Sequence, residues 1–301
     1  MIYTVTLNPA IDCILGLDQL QPGTIQRCTR ENIFFGGKGI NVSIILRRLG
    51  IDSTALGFTA GFTGIAIEDG LRQEGIACDF VHLSQGITRM NIKIYADEET
   101  ALNGQGPRIL PEDLHALFAK LDSLRAGDTL VLAGSVPAGL LADTYAQILS
   151  RLQGRNIRFV LDAAGPLLEE ALAYRPFLIK PNQQELEALY GASIDTREDL
   201  ITAARQLQQR GAQNVLVSLG EQGALLLTDA GQIYGTPAVC GQVINTVGAG
   251  DSMLAGYLAG LERGQSPHQA LRLATACGGA TAFSVGLAAQ DAIRELYEAV
   301  G

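Results

Sequence analysis

The sequence has no tryptophan and little of what several common catalytic sites require. Its 301 residues include only three histidines, which lie far apart, and no histidine is near a plausible nucleophile motif. The five cysteines are scattered, odd in number and without a C-x-x-C pair, which argues against structural zinc and disulfides and favours a reducing compartment. A histidine-based catalytic triad and a structural zinc site therefore have no support.

Excess positive charge and long apolar runs are missing as well. The chain carries 22 basic and 31 acidic residues, for a net charge of −9, which disfavours nucleic acid and anionic membranes as partners. No apolar run approaches the ~18 residues that span a bilayer, and the first residues carry no signal peptide pattern. We expect a cytoplasmic protein with no nucleic acid and no membrane partner.

Short apolar strands alternate with helical patterns along most of the chain, and two of the predicted helices cover Ile40–Leu49 and Leu141–Leu152. This βαβ alternation predicts a mainly parallel sheet covered by helices on both faces, in one domain over residues 1–301. Two excursions, at about 13–35 and 87–102, show strand patterns without helices between them. In the second, residues 90–95 alternate strictly, as a half-solvated antiparallel strand does. We interpret the excursions as a small β-structure, either a lid, a dimer surface or an extra sheet edge.

The most informative segment is Asn245-Thr-Val-Gly-Ala-Gly-Asp251, which precedes an apolar helical run. Gly248 and Gly250 let the backbone approach a ligand, and a helix N-terminus offers unpaired N–H groups to a phosphate. An aspartate beside a phosphate site needs a task, such as taking a proton from a nucleophile. The segment thus indicates phosphoryl transfer to a hydroxyl, although a simple strand-to-helix turn would look similar.

Three further segments add possible ligand groups, although each has a plausible purely structural explanation. Gly36-Gly37-Lys38 with Asn41 precedes a helix and could hold a ligand, since the Walker A pattern is absent. Lys180, Asn182 and Glu185 follow a buried strand, and the last two could hold a hydrated Mg²⁺ or merely cap a helix. Ser218, Gly220 and Gly223 lie between two strands and could form only a hairpin turn.

Together and in this order, the four segments resemble the ribokinase/PfkB-type carbohydrate kinases over essentially the whole chain. The resemblance implies a three-layer αβα ribokinase-like fold with a β-lid that often forms a homodimer, and it implies ATP and Mg²⁺ as cofactors. It implies that Asp251 is the general base, with Gly248, Ala249, Gly250 and Lys38 at the transferring phosphoryl group. ATP would be bound by Lys180, Asn182, Ser218, Gly220, Gly223, Gly248 and Gly250, and Mg²⁺ would be held through water by Asn182 and Glu185.

Further motifs resemble the branch that acts on phosphorylated hexoses. They are Thr6-Leu-Asn8-Pro9-Ala-Ile-Asp12, Thr88-Arg89-Met-Asn91 and Gly134-Ser135-Val-Pro137. The resemblance implies that Arg89 binds the sugar phosphate and Asp12 the sugar hydroxyls, within a substrate site of Asp12, Gly36, Gly37, Lys38, Asn41, Arg89, Asn91, Ser135 and Asp251.

The implied reaction is ATP-dependent phosphorylation of D-fructose 1-phosphate to fructose 1,6-bisphosphate. The alternatives are a tagatose-6-phosphate kinase and, less favoured, a catalytically silent sugar-phosphate sensor. One departure from the family pattern concerns Asn245, where many sugar kinases carry an aspartate that in some helps to form a monovalent-cation site. Asn245 puts potassium activation in doubt.

Overall fold

Strands and helices alternate along the chain as the sequence predicts. The structure, a computed structural model, describes residues 1–137 and 139–300. The strands in these ranges are β1 Ile2–Thr6, β2 Ala10–Gly16, β3 Arg30–Gly36, β4 Ser53–Ala60, β5 Ala77–Cys78, β6 Val81–Leu83, β7 Arg89–Tyr95, β8 Glu99–Asn103, β9 Thr129–Ala133, β10 Arg158–Asp162, β11 Leu178–Ile179, β12 Asn214–Ser218, β13 Ala224–Leu227 and β14 Ile233–Thr236. The α-helices are α1 Lys38–Arg48, α2 Gly61–Gln73, α3 Pro111–Leu121, α4 Thr144–Leu152, α5 Pro166–Ala171, α6 Gln183–Tyr190, α7 Arg197–Gln209, α8 Ala249–Glu262, α9 Pro267–Ala282 and α10 Gln290–Ala299.

The central sheet has the order β14-β13-β12-β11-β10-β9-β1-β4-β5, and β6 pairs with the end of β4. All neighbours from β12 to β5 are parallel, while β13 and β14 extend one edge as antiparallel strands. The prediction of a mainly parallel α/β sheet is therefore confirmed. Because the strands are parallel, their carboxyl ends meet at one edge, which is where open α/β sheets bind ligands.

Helices cover both faces of this sheet, as β9 illustrates. All five residues of β9 are buried, and its four apolar residues alternate between two hydrophobic clusters. Leu130 and Leu132 pack on the side of α3 to α7, whereas Val131 and Ala133 pack on the side of α1, α8, α9 and α10. A strand that is buried on both faces reads as a continuous apolar run. No helix in the described ranges combines the length and the hydrophobicity that a bilayer crossing requires.

A second, four-stranded sheet has the order β3-β2-β7-β8 and is called the lid sheet here. Its strands lie in the two excursions, but β2 begins at Ala10, earlier than the predicted position 13. The strand predicted as antiparallel, β7, is antiparallel to β8 but parallel to β2. Alternation alone does not distinguish the two pairings, because side chains alternate with a period of two in both.

The two faces of the lid sheet differ in chemistry. Asp12 pairs with Asn91, and Ala10 pairs with Arg89, so these polar side chains share one face. The opposite face carries Ile11, Cys13, Leu15, Ile33, Phe35, Met90, Ile92, Ile94 and Leu102. Near its base this apolar face packs on α2, where a side chain at Gly70 would collide with the Phe35 ring.

Some element boundaries differ from the expectation. Helix α1 begins at Lys38 rather than Ile40, because the Thr6 hydroxyl accepts a hydrogen bond from the Ile40 N–H over 3.0 Å and holds this helix start. Helix α4 begins at Thr144, three residues after the predicted Leu141. The short elements α5, β5 and β6 are not predicted, since segments of two to six residues carry too little periodicity.

Candidate active site

The N-terminus of α8 lies at the centre of the candidate site. Gly248 caps it with a φ of 81°, a left-handed conformation that favours glycine, and a side chain there would collide with Leu287. The Ser252 N–H donates to the Gly248 carbonyl over 2.8 Å, so the N–H groups of Gly250 and Asp251 precede the regular helical hydrogen bonds. A glycine at position 250 leaves room for the Lys180 ammonium group, which a Cβ would approach to 3.0 Å. The turn thus combines free N–H groups with a cation.

Asp251 lies in the first turn of α8 and is only 6% exposed. Burial and the nearby Asp162 raise its pKa to about 7, while a hydrogen bond from the Asn41 amide, 2.8 Å from Oδ2, opposes this rise. A carboxylate whose pKa lies near neutral pH suits a general base, because it is partly ionised and yet a stronger base than an ordinary aspartate. The structure therefore gives Asn41 a direct partner in Asp251.

The diglycine before α1 is required by close packing. Gly37 has a φ of 119°, and a side chain at this position would collide with the Thr6 methyl group. A side chain at Gly36 would collide with Asp12 Oδ2. The glycines therefore allow the loop to pass directly beside the Asp12 carboxylate, which brings the lid sheet and the start of α1 together.

Asp162, at the carboxyl end of β10, is a buried acid that the sequence interpretation missed. Its Oδ1 accepts from Lys38 over 3.0 Å, and its Oδ2 lies 3.3 Å from the Lys180 ammonium group. Burial alone would raise the pKa of Asp162, but Lys180 and Lys38 hold it below its ordinary value. Leu-Asp at the end of an apolar strand was the available signal, since strand ends supply site residues in parallel sheets.

Both lysines are oriented by this acid. Burial would lower the pKa of Lys38, but Asp162 and Asp251 raise it above its ordinary value, so Lys38 is charged. Lys180 is buried and lies beside Gly250. The geometry therefore places two cations between Asp162 and the N-terminus of α8.

The polar face of the lid sheet supplies an arginine with an unpaired nitrogen. Asn91 donates to Asp12 Oδ1 over 2.8 Å, and both residues lie beside Arg89 on the sheet. The Arg89 Nε is buried, and among the described residues it has no hydrogen-bond partner. Burial lowers the pKa of Arg89, although the Asp12 carboxylate opposes that effect. A buried guanidinium nitrogen without an acceptor is a group that an anionic ligand would satisfy.

A cavity of about 350 Å³ connects Lys38 and Asp162 with Arg89. It is lined by Thr6, Asn8, Gly37, Lys38, Arg89, Ala133, Gly134, Ser135, Asp162, Ala163, Ala164 and Leu167. A second cavity of about 240 Å³ is lined by Asp12, Gly36 and Asn41, among others. The residues expected at a sugar site are therefore divided between two cavities, with Ser135 exposed at the rim of the first, and neither lining includes Asn91 or Asp251.

Asn182 and Glu185 form a reciprocal cap at the start of α6. The Asn182 side chain accepts from the Glu185 N–H, and the Glu185 carboxylate accepts from the Asn182 N–H, each over 2.8 Å. This is the structural alternative that the sequence left open. The cap uses one Glu185 oxygen, Oε2. The negative charge of Glu185 also contributes to the raised pKa of Lys38. The described residues contain no cluster of three or more His, Cys, Asp or Glu that could hold a metal.

Ser218, Gly220 and Gly223 form the hairpin turn between β12 and β13. Gly220 and Gly223 have φ values of 56° and 90°, and a side chain at Gly223 would overlap the Thr236 carbonyl. Ser218 forms a parallel bridge with Asn182, which places this turn next to the start of α6. The glycines are therefore explained by the turn itself, at the same sheet edge as Asp162 and Lys180.

Asn245 forms a local turn. Its side-chain oxygen accepts from the Val247 N–H over 3.0 Å, and its amide donates to the Val285 carbonyl over 3.1 Å. A neutral amide therefore ties the segment before α8 to the loop after α9.

Comparison with known proteins gives a consistent result. Residues 5–293 of the chain match the family described as "pfkB family carbohydrate kinase". A 1-phosphofructokinase of Bacillus subtilis (strain 168) is 41% identical over 300 residues, which cover 100% of this chain and 98% of that protein. A D-tagatose-1-phosphate kinase of Bacillus licheniformis is also 41% identical, over 288 residues that cover 95% of this chain and 94% of that protein.

The fold is shared with a solved kinase structure. Phosphofructokinase-2 from Escherichia coli, in complex with substrates and products, superposes with a TM-score of 0.93 at 30% identity. The match covers 99% of each chain. The three-layer arrangement and the lid sheet therefore occur together in a known fold.

Proposed function

Because the chain belongs to the pfkB family of carbohydrate kinases, we propose that it transfers the γ-phosphoryl group of ATP to the 6-hydroxyl of D-fructose 1-phosphate. One observation carries the chemistry: a buried aspartate, Asp251, lies in the first turn of α8 with a pKa of about 7. A base and an anion-binding helix N-terminus in one turn are the two groups that phosphoryl transfer to a hydroxyl requires.

In this proposal Asp251 accepts the proton of the attacking hydroxyl. The new bond joins the C6 oxygen to the γ-phosphorus, the bond from that phosphorus to the β,γ-bridging oxygen breaks, and ADP leaves. Asn41 orients the carboxylate through its hydrogen bond to Oδ2, which leaves the other oxygen, Oδ1, toward the substrate. In this proposal the Asn41 amide positions the base, in addition to any contact that it makes with a sugar hydroxyl.

Charge on the transferring phosphoryl group is stabilised by fixed donors. The N–H groups of Gly248 and Gly250 lie at the positive end of the α8 dipole, whereas the Ala249 N–H, also expected here, donates to the Thr246 carbonyl over 3.3 Å. Lys38 supplies a cation, and Asp162 holds its ammonium group in place. Donors that are fixed in advance need little reorganisation during the reaction, and this preorganisation is a large part of electrostatic catalysis.

The donor set at the sheet edge also fits Mg²⁺, which would neutralise charge on the ATP phosphates when bound. Asp162 Oδ2 is buried, and the described residues offer it no hydrogen-bond partner with good geometry. Glu185 has a carboxylate oxygen outside its cap. Carboxylate oxygens acting through water are typical Mg²⁺ ligands, so we assign Mg²⁺ to Asn182 and Glu185 with Asp162 nearby. The remaining nucleotide contacts are assigned to Lys180, Ser218, Gly220 and Gly223.

Arg89 is assigned to the phosphate that the substrate already carries. Its unpaired Nε, together with the terminal nitrogens of the guanidinium group, can hold a phosphate through two hydrogen bonds. Asp12, Asn91 and the Gly36–Gly37 loop then border the sugar hydroxyls, and Ser135 lies at the rim.

A tagatose phosphate remains the second candidate substrate. The B. licheniformis relative named D-tagatose-1-phosphate kinase supports an acceptor with its phosphate on C1, like fructose 1-phosphate. The other alternative, tagatose 6-phosphate, would have to present a different carbon to Asp251. A silent sensor is disfavoured, because a protein that only binds sugar phosphate has no need for a buried base with a pKa near 7.

The lid sheet is proposed to close over the sugar and to form a homodimer. Its apolar face remains exposed beyond α2, with Ile33 64% and Leu102 57% exposed. A contiguous exposed apolar surface usually indicates an interaction site. The five free cysteines and the ATP requirement favour a cytoplasmic location.

The direct test is ADP release from ATP and Mg²⁺ with fructose 1-phosphate as acceptor, and with fructose 6-phosphate and fructose as comparisons. Phosphorus NMR of the product should show a bisphosphate with the new ester on C6. Turnover with none of the three acceptors would reject the proposed function.

A further inference from the structure

A second arginine shares the unusual property of Arg89. The Arg272 Nε is buried, and no described residue accepts a hydrogen bond from it. Arg272 lies on α9 and is not part of the cavities that contain Asp12, Lys38 or Arg89. Buried polar groups without a partner are rare and call for an explanation in terms of a ligand or strain.

Arg272 lines a separate cavity of about 370 Å³ between the end of β14, α9 and the end of α10. This cavity, called the α9–α10 cavity here, is lined by Gly235, Thr236, Pro237, Ala238, Val239, Cys240, His268, Arg272, Leu296, Ala299 and Val300. Its volume is in the range of small-molecule sites. The lining contains no carboxylate side chain, although acidic residues outnumber basic ones in the whole chain.

Two polar side chains of the cavity are held by aromatic rings. The Arg272 guanidinium lies over the Tyr297 ring at 5.5 Å, and the His268 ring stacks on Tyr234 at 5.7 Å. His268 and Arg272 are four residues apart on α9, so they lie on one face of the helix. Stacking on Tyr297 satisfies the face of the guanidinium but leaves its in-plane N–H donors available.

We propose that the α9–α10 cavity binds an oxyanion, namely the phosphoryl group of a small metabolite, through Arg272 and His268. The planar fork of an arginine matches two phosphate oxygens, and an imidazole can donate a further hydrogen bond. Its lining shares no residue with the proposed nucleotide and sugar sites, although Thr236, Pro237 and Ala238 adjoin Gly223 of the nucleotide site. Its wall at Gly235–Cys240 belongs to the segment that leads to Gly248.

Inorganic phosphate is a suitable probe, and the lack of tryptophan provides a clean reporter. Tyr297→Trp places a single indole beside Arg272. We expect its fluorescence to change saturably with phosphate at constant ionic strength. Arg272→Gln in the same background should weaken this response ~10- to 150-fold, the usual effect of losing a charged hydrogen bond. The matched control Arg294→Gln, on the exposed side of α10, should leave the response unchanged.

One control separates this cavity from the sugar site, which also binds a phosphate group in our proposal. The response should persist in Arg89→Ala. As an independent readout, phosphate should slow alkylation of the exposed Cys240 at the cavity rim when Cys13, Cys28 and Cys78 are replaced by serine.

Three results would overturn the proposal. They are the absence of both a saturable fluorescence change and protection of Cys240, an undiminished response in Arg272→Gln, and loss of the response in Arg89→Ala. The last result would assign the phosphate to the active site.

Discussion

Asn41 donates a hydrogen bond to Asp251 over 2.8 Å, joining the first turn of α1 to the first turn of α8 across 210 positions of sequence. The contact fixes the carboxylate that we propose as the base. It also opposes the burial that raises the pKa of Asp251 to about 7. One amide thus sets both the position and the basicity of the proposed base.

Asp251→Asn should retain the fold and lose most of its turnover. The side chains are nearly equal in size, but an amide cannot accept the proton, and loss of a positioned general base costs roughly 10²–10⁴ in rate. Steady-state turnover measures the effect, and Asp291→Asn on exposed α10 is the control. Near-wild-type turnover would remove Asp251 from the role of base.

The same variant should be more stable than the wild type at alkaline pH. The raised pKa means that folding disfavours the ionised carboxylate, so the cost in stability is complete above about pH 7 and vanishes only well below pH 3.8, where the carboxyl group is protonated in both states. The rise of the pKa from 3.8 to about 7 corresponds to at most about 4 kcal/mol. Thermal melts of both proteins at pH 8 and pH 4 should show a much larger gain at pH 8.

Asn41→Ala should move the acid limb of the pH–rate profile to higher pH. The hydrogen bond from Asn41 stabilises the ionised Asp251, so its removal raises the pKa of the base. The pH profile of kcat/KM reports the pKa values of the free enzyme, and we expect its acid limb near pH 7 in the wild type. Asn32→Ala on the lid sheet serves as the control. An unshifted limb would show that Asn41 does not tune the base.

Glu185→Gln should raise the Mg²⁺ concentration that gives half-maximal rate. A glutamine oxygen can still accept from the Asn182 N–H, so the cap of α6 is kept while the charge is lost. Asp199→Asn is a matched control, because Asp199 has the same capping position on α7. An unchanged Mg²⁺ titration would leave Asn182 and Glu185 with a capping role alone.

Arg89→Ala should impair the use of fructose 1-phosphate far more than the binding of ATP. Losing a charge-assisted hydrogen bond costs ~1.5–3 kcal/mol, roughly 10- to 150-fold. The loss should appear mainly in KM, if the phosphate is held equally in the ground and transition states. Unphosphorylated fructose should be a poor substrate for the wild type and little worse for the variant. Arg47→Ala is the control, and an unchanged KM would exclude Arg89 from the site.

Ile33→Lys combined with Leu102→Lys should convert a dimer into a monomer. Both residues are exposed on the apolar face of the lid sheet, and charges there would be buried in the interface. Sedimentation at micromolar concentration measures the state, with Leu141→Lys as a control on another exposed apolar residue. A monomeric wild type, with and without ligands, would contradict the lid dimer.

Most of the parallel sheet could be predicted because strands such as β4, β9 and β10 are short apolar runs followed by a helical pattern. Asp162 was missed although it ends an apolar strand, since its function depends on Lys38 and Lys180, which come from distant segments and meet only at the sheet edge. The Asn41–Asp251 contact was hidden for the same reason. Residues 182 to 185 were ambiguous because one sequence pattern serves both a helix cap and a metal site.

The most direct test of the account is the ratio of kcat/KM for fructose 1-phosphate to kcat/KM for tagatose 6-phosphate, with tagatose 1-phosphate measured beside them. The reacting hydroxyl must reach Asp251 while Arg89 holds the phosphate, so the comparison probes the placement of the whole sugar. We expect fructose 1-phosphate to give the highest value. A higher value for either tagatose phosphate would contradict the assigned substrate, and no turnover with any of the three would contradict the kinase site itself.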